Sequence, residues 1–433
     1  MSNASVALGT RTERQSIETS GPQASGSDHR LRTSTLTPRS ILVATPSLMH
    51  SHQLSLALHE QNLLKAYWCG VPVVAPEESF PFWMPERARR KIRRIDIPAS
   101  LRAHPLRFQL CLRGVSALVP AALLGHPGDF NHRVFHWFDA WTAKRIERLK
   151  PQVVIAYENS AYHTFAAAKA VGATCVLDAA SYHHQTAAEL WPQERSPFEA
   201  EINRRKDAEA NMADLILTCS PLAAASYVDH GFPAARVRPV LLGAELPDNL
   251  QQRTRRDGPP RFIFAGALSR RKSVDLILSA FQRLAAEGLA YELQFVGGMA
   301  DPTLLTQLRA TPSTLYHPSM AQRDLYPLMA QADCLLLPSR FDSFGMTVAE
   351  AMACGTPALV STRTGSRAII DDAPGSGWIV EPDVEDLYRQ LRDLLLTPGK
   401  LANARPLALR AAQNYTWAAY RQRAAKLLSE ALS

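Results

Sequence analysis

No glycine-rich dinucleotide fingerprint (GxGxxG) and no phosphate-loop lysine motif occurs in either half of this 433-residue chain. The first absence argues against a nicotinamide or flavin dehydrogenase, the second against a phosphate-loop NTPase. Cysteine is sparse. Its six positions (69, 111, 175, 219, 334 and 354) show no CxxC or Cys/His spacing, which implies neither a disulfide framework nor a zinc site and suits buried thiols in a reducing compartment. Long apolar runs are also missing. The longest, Val115–Leu124, is broken by Pro120 and falls short of the ~20 residues that cross a bilayer. Residues 1–40 carry no apolar core of a signal peptide and, rich in Ser, Thr, Gly and Pro, read as a disordered leader.

What is present is ordinary globular material, with 46% hydrophobic and 20% charged residues, which rules out a wholly disordered chain. The length exceeds what one core usually serves, so two domains are expected. A net charge of +8 suits anionic partners without naming them.

From Ile41 onward, short apolar runs alternate with amphipathic segments. Strands are expected at 41–45, 152–157, 174–178 and 215–219, then at 261–266, 291–298, 314–317, 333–338 and 357–361. Val274, Ile277, Leu278, Phe281 and Leu284 form one helical stripe; Val384, Leu387, Leu391, Leu394 and Leu395 form another. Such alternation means parallel sheets covered on both faces. The α/β chain divides into two Rossmann-like domains, 41–243 and 244–410, with a C-terminal helix in 411–433 that packs back toward the first. Ligands of open α/β sheets bind at the carboxyl ends of the strands, here in the cleft between the domains.

The informative segment runs from Pro338 to Pro357, PSRFDSFGMTVAEAMACGTP. It leaves a buried strand, turns through polar residues, and enters a helix stopped by Gly355 and Pro357. The helix start, at about Gly345–Thr347, offers backbone N–H groups to an anion. Asp342 and Glu350 flank it with seven residues between them, about 10–12 Å if largely helical. A glycosidase pair stands only ~5–9.5 Å apart. The wider span suits the two hydroxyl-rich ends of a sugar–diphosphate–ribose. Each residue alone also fits a plainer role, Asp342 as a turn initiator and Glu350 as a solvated helix position. A second cluster, Gly266-Ala267-Leu268-Ser269-Arg270-Arg271-Lys272-Ser273, follows another strand of the same sheet, where Arg271 and Lys272 can neutralise a diphosphate.

This pattern resembles the retaining glycosyltransferases of family 4. Their hallmark, an acidic residue, seven residues and Glu inside Pro-Ser-x-x-Glu-x-Phe-Gly…Glu-Ala-Met-Ala-x-Gly-x-Pro, is matched by Pro338–Pro357. Further likeness lies in Ala213–Ser220, Leu242-Gly243-Ala244-Glu245 and Arg271-Lys272-Ser273-Val274-Asp275. The resemblance implies the two-domain GT-B fold and transfer from a nucleotide-diphosphate sugar to a glycan or lipid-linked acceptor, in polysaccharide or glycolipid assembly. It implies that Glu350 holds the ribose, Asp342 the transferred sugar, and Arg271 and Lys272 the diphosphate. Gly266 and the backbone of Phe344, Gly345, Met346 and Thr347 meet the donor. His183, with His184 as the alternate, matches an active-site histidine just beyond a strand. No cofactor or metal is implied, and no Asp-x-Asp metal motif appears.

The sequence departs from the family pattern at Asp342 (usually Glu), Ala267 (often Arg), Ser273 (usually Gly) and Ala368 (commonly Glu). A catalytically silent GT-B subunit, or a nucleotide-sugar epimerase or phosphorylase, is the alternative. Residues 80–107 place aromatics beside six basic residues, Arg87, Arg89, Arg90, Lys91, Arg93 and Arg94. That suits a helix lying on an anionic membrane, and thus a cytoplasmic protein peripheral on the inner face of the membrane. A solvated charged face explains the run equally, and no nucleic-acid motif accompanies it.

Overall fold

The computed structural model describes residues 37–80, 86–89, 92–105, 127–192, 197–247 and 258–432. Residues 1–36 of the expected leader, the apolar stretch 115–124 and residues 248–257 between the domains lie outside these. So do 81–85, 90–91 and 106–107 of the basic segment.

Fifteen strands are described: β1 (Ile41–Thr45), β2 (Leu64–Cys69), β3 (Val73–Val74), β4 (Arg93–Arg94), β5 (Arg102–Ala103), β6 (Val153–Tyr157), β7 (Thr174–Ala179), β8 (Leu215–Thr218), β9 (Val237–Pro239), β10 (Arg261–Ala265), β11 (Glu292–Val296), β12 (Thr314–His317), β13 (Cys334–Leu337), β14 (Ala358–Ser361) and β15 (Gly377–Val380). The first domain's sheet has the order β5-β2-β1-β6-β7-β8-β9, the second's β12-β11-β10-β13-β14-β15. All strand pairs in both sheets are parallel. Central strands such as β1, β6, β8 and β13 are buried along their whole length, as strands covered by helices on both faces must be. The expected strands are all present, with bounds that agree to within two residues at each end. β2, β3, β4, β5, β9 and β15 were not anticipated.

Helical periodicity held where it was strongest. Helix Val274–Ala286 buries Val274, Ile277, Leu278, Phe281 and Leu284, and Val384–Leu396 buries Leu387, Leu391 and Leu394. The Asp383 carboxylate caps the latter by accepting from Glu385 and Asp386 N–H. The basic segment is not one helix in its described part: Glu86–Arg89 is a single turn, and Arg93–Arg94 pairs with β3 as a strand. No helix among the described residues is long and apolar enough to cross a membrane.

The chain joins the domains twice, and the two passages touch. Ala244 bridges Thr416, with Ala244 N–H donating to Tyr415 O at 2.8 Å and Trp417 N–H to Ala244 O at 3.2 Å. Gly243 permits this approach, because a Cβ there would lie 2.3 Å from the Thr416 carbonyl oxygen. The last helix, Trp417–Ala431, lies against helix Ser51–Glu60 of the first domain. Arg421 reaches Gln53 Oε1 at 2.9 Å and Glu60 at 2.8 Å. Beneath it, His50 Nε2 is 2.9 Å from Asp178 Oδ1, and the Tyr420 ring stands edge-on at 6.1 Å. Burial alone would push the His50 pKa down, but the charge and hydrogen bond of Asp178 outweigh it and the imidazole titrates above its ordinary value.

Two outcomes are expected. Gly243→Ala should cost about 1–3 kcal/mol through overpacking, read as a lower urea midpoint with unchanged slope. His50 binds its proton more tightly folded than unfolded. Its stabilisation is therefore complete below pH ~6.5 and is lost as pH rises through the folded-state value. His50→Gln should flatten that decline in urea midpoints measured from pH 6 to 9.

Candidate active site

β13 delivers the chain to the carboxyl edge of the second sheet, where residues 338–345 turn before helix Met346–Ala353. Gly345 makes the turn. It adopts φ 86° and ψ 64°, and a Cβ would lie 2.6 Å from Leu337 Cδ2, so a side chain is excluded by both backbone and space. No side chain caps this helix, so its first-turn N–H groups face the turn without a protein acceptor of that kind. Phe344 is buried in the core, Met346 packs against it, and Thr347 Oγ1 is buried without a partner.

Three contacts fasten this turn to the loop after β10 and to the helix that the loop enters. Lys272 Nζ donates to Asp342 Oδ2 at 2.9 Å, with the two side chains only 16% and 14% exposed. Arg271 Nη1 donates to Phe341 O at 3.1 Å, its guanidinium 5.2 Å above the Phe341 ring. Arg340 forks onto both Asp275 oxygens at 2.7 and 2.8 Å. Gly266, at φ 146°, brings its backbone alongside the Lys272 side chain, whose Nζ lies 3.6 Å from where a Cβ would be. Ser273 adopts φ 58° at the start of helix Val274–Ala286, a left-handed conformation that accounts for glycine being usual there.

Glu350 lies one helical face further on. Its Oε1 accepts from Gln322 Nε2 at 2.7 Å. Burial raises its pKa, and the Gln322 hydrogen bond only partly offsets this. The structure thus brings Gly266, Arg271, Lys272 and Asp342 together beside the uncapped helix start, with Glu350 on that helix.

His183 stands apart. Its N–H donates to Ser226 Oγ at 2.9 Å, and its ring stacks on His230 at 4.4 Å and packs against His184, Tyr227 and Phe232. These contacts all belong to the first domain, and none of them is with Lys272 or Asp342. Burial, then the neighbouring His184 and His230, lower its pKa to about 4, and it is neutral at physiological pH.

The first domain meets the turn through residues that sequence reasoning passed over. Ser343 O accepts from Ser220 Oγ at 2.7 Å, and Ser343 Oγ accepts from Tyr182 N–H at 3.3 Å. Tyr182 OH donates to Arg363 O at 3.2 Å. Gly365 allows this closeness, since a Cβ there would stand 2.1 Å from Ser343 O and 2.6 Å from Ser220 Oγ. Both Tyr182 and Ser220 sit just past strand ends, and Ser220 closes the run Ala213–Ser220 already singled out in the sequence.

Comparison with known proteins gives this geometry a family setting. Residues 247–409 match the family model described as "Glycosyl transferases group 1". A D-inositol 3-phosphate glycosyltransferase of Xylanimonas cellulosilytica is 29% identical over 166 residues, covering 36% of this chain and 39% of that protein. A D-inositol 3-phosphate glycosyltransferase 1 of Catenulispora acidiphila is 30% identical over 210 residues, covering 43% and 50%. The chain thus spans half or less of the length of these two curated relatives. Among solved structures, sucrose-phosphate synthase of Thermosynechococcus elongatus aligns with a TM-score of 0.62 at 17% identity, over 90% of this chain and 98% of that one. Anabaena HepE, solved with UDP and glucose, aligns with a TM-score of 0.61 at 13% identity, over 90% and 100%. The frame is therefore the GT-B fold, and the second domain carries the match to the group 1 glycosyltransferases.

Proposed function

We propose that the protein is a retaining glycosyltransferase that moves a sugar from a nucleotide-diphosphate donor to a hydroxyl of a glycan or lipid-linked acceptor. The observation that carries this reading is the placing of the Lys272 ammonium and the Asp342 carboxylate beside the uncapped start of helix Met346–Ala353. One cation, one hydrogen-bond acceptor and a set of backbone donors match, in order, a diphosphate, a sugar hydroxyl and a phosphate oxygen. Glu350 supplies the acceptor for the ribose hydroxyls. Anabaena HepE was solved with UDP and glucose, which supports a nucleotide-sugar donor and makes UDP the first ligand to try.

In this reading the bond from the anomeric carbon to the phosphate oxygen breaks while the acceptor oxygen adds on the same face. The acceptor proton passes to the departing phosphate. Lys272 and Arg271 stabilise the charge that develops on the diphosphate, where one well-placed donor is worth ~2.7–4 kcal/mol. Neither a protein nucleophile nor a divalent ion takes part. The His183 backbone N–H donates to Ser226 Oγ, anchoring the loop from which Tyr182 reaches the donor turn. Polysaccharide or glycolipid assembly, and attachment to an anionic membrane through 80–107, belong to the same proposal. The exposed Arg93 and Arg94 support the attachment. It is wrong if flotation shows no preference for anionic over neutral vesicles.

The donor site is tested by thermal shift with UDP, GDP, ADP and their sugar conjugates. At a hundred times its dissociation constant the correct nucleotide should add ~2.7 kcal/mol, an increment that persists in EDTA and disappears in Glu350→Ala. Lys272→Ala should slow transfer about 100- to 1,000-fold while the protein remains folded by circular dichroism. If no nucleotide shifts the melt, the silent-subunit reading replaces this one.

A further inference from the structure

The side chains of His183, His184 and Asp207 form a second chemical centre, within the first domain and separate from the donor turn. His183 ends the loop after β7 and stands immediately before helix His184–Leu190, while Asp207 comes from helix Pro197–Met212. His184 Nε2 lies 2.7 Å and His183 Nε2 3.5 Å from the same oxygen, Asp207 Oδ1. One ligating atom from each of the three side chains lies within 4.8 Å of the others. Nitrogen and oxygen ligands 2.0–2.2 Å from a tetrahedral zinc stand about 3.3–3.5 Å from one another. The His183–Asp207 separation is already an edge of that size, and the His184–Asp207 contact needs to open by less than ~1 Å to become one.

Two further observations point to a ligand here. His183 is only 4% exposed, and its Nε2 stands 3.5 Å from Asp207 Oδ1, longer than an ordinary hydrogen bond. Buried imidazole nitrogens are ordinarily claimed by protein or by a bound species. The surroundings are also lopsided. His230, Tyr227 and Phe232 wall off one side of the His183 ring, whereas the Asp207 side chain is 41% exposed and leaves an approach from solvent.

We propose that His183, His184 and Asp207 bind one divalent transition-metal ion of the zinc type, with water completing the coordination. Two imidazoles and one carboxylate are a nitrogen-rich, borderline-soft set, which selects zinc over magnesium or calcium, whose ligands are oxygens. The ion acts as a staple. It ties the loop after β7 to helix Pro197–Met212 and thereby steadies the neighbouring Tyr182, which touches Ser343 and Arg363 across the cleft. It takes no part in moving the sugar, so it raises the baseline melting temperature, whereas a nucleotide adds its own increment on top. The two proposals can therefore fail separately.

The test uses the full chain, free of any affinity tag, stripped with a chelator and titrated with Zn2+ by calorimetry, with Mg2+ as comparator. We expect one equivalent of zinc, no response to magnesium, and a higher melting temperature with zinc bound. Cobalt substitution should give the intense visible bands of a tetrahedral site. His184→Gln and the half-exposed Asp207→Asn should each weaken zinc binding at least about tenfold, while His163→Gln, at an exposed histidine elsewhere in the domain, leaves it unchanged. Zinc binding that is absent, non-stoichiometric, or equal in the His184 and Asp207 variants, with both variants folded by circular dichroism, overturns the proposal.

Discussion

The ion pair between Lys272 and Asp342 is the contact on which the rest of the site depends. It spans the carboxyl ends of two adjacent strands, β10 and β13, whose register alone would leave their loops free to diverge. Both side chains are largely withdrawn from water, so their attraction is less screened than that of a surface pair. The Arg340–Asp275 fork and the Arg271–Phe341 contact run beside it, and together they fix the turn that ends at Gly345. Ser343 sits inside that turn, so the place where the first domain touches the second is set by the same fastening.

That dependence explains why some of the site could be read from the chain and some could not. The run from Pro338 to Pro357 announces itself locally: an apolar strand, a polar turn, a glycine and a helix follow one another within twenty or so residues, and the structure keeps that order. The stripe beginning at Val274 was equally plain, because five large apolar side chains at helical spacing have few other uses. By contrast, β2 carries Lys65 among its apolar residues, and β9 is three residues long and ends in proline, so neither presents a clean period. β15 begins with a glycine that a Cβ could not replace, since it would lie 2.4 Å from Ala358 O.

The side-chain partnerships across the fold were hidden for a different reason. His50 follows the first strand and Asp178 is the penultimate residue of the seventh, and nothing in their 128-residue separation says that parallel pairing of β1 with β6 and β6 with β7 brings them within 2.9 Å. His183 shows the limit from the other direction. Its position just beyond a strand was legible, but the direction of its ring was decided by Asp207, arriving on a helix that starts fourteen residues later. Position along the chain told where the residue is, and only packing told which way it looks. Ser273 is a smaller case: the serine was visible in the sequence, and its left-handed backbone at φ 58° was not.

The paired passages at Ala244 and Thr416 set how such a molecule can open. A single connecting strand would act as a swivel, leaving one domain free to twist, tilt or slide over the other. Two segments held together at the Ala244–Thr416 bridge would behave as the pin of a door, resisting twisting and sliding and leaving one easy rotation, the one that swings the lips of the cleft apart. With helix Trp417–Ala431 bolted to the first domain through Arg421, that pin is mounted rigidly on one side. Ser220 and Tyr182 would then return to the same point on Ser343 on closure, and an open molecule and a closed one would differ by one angle and little else.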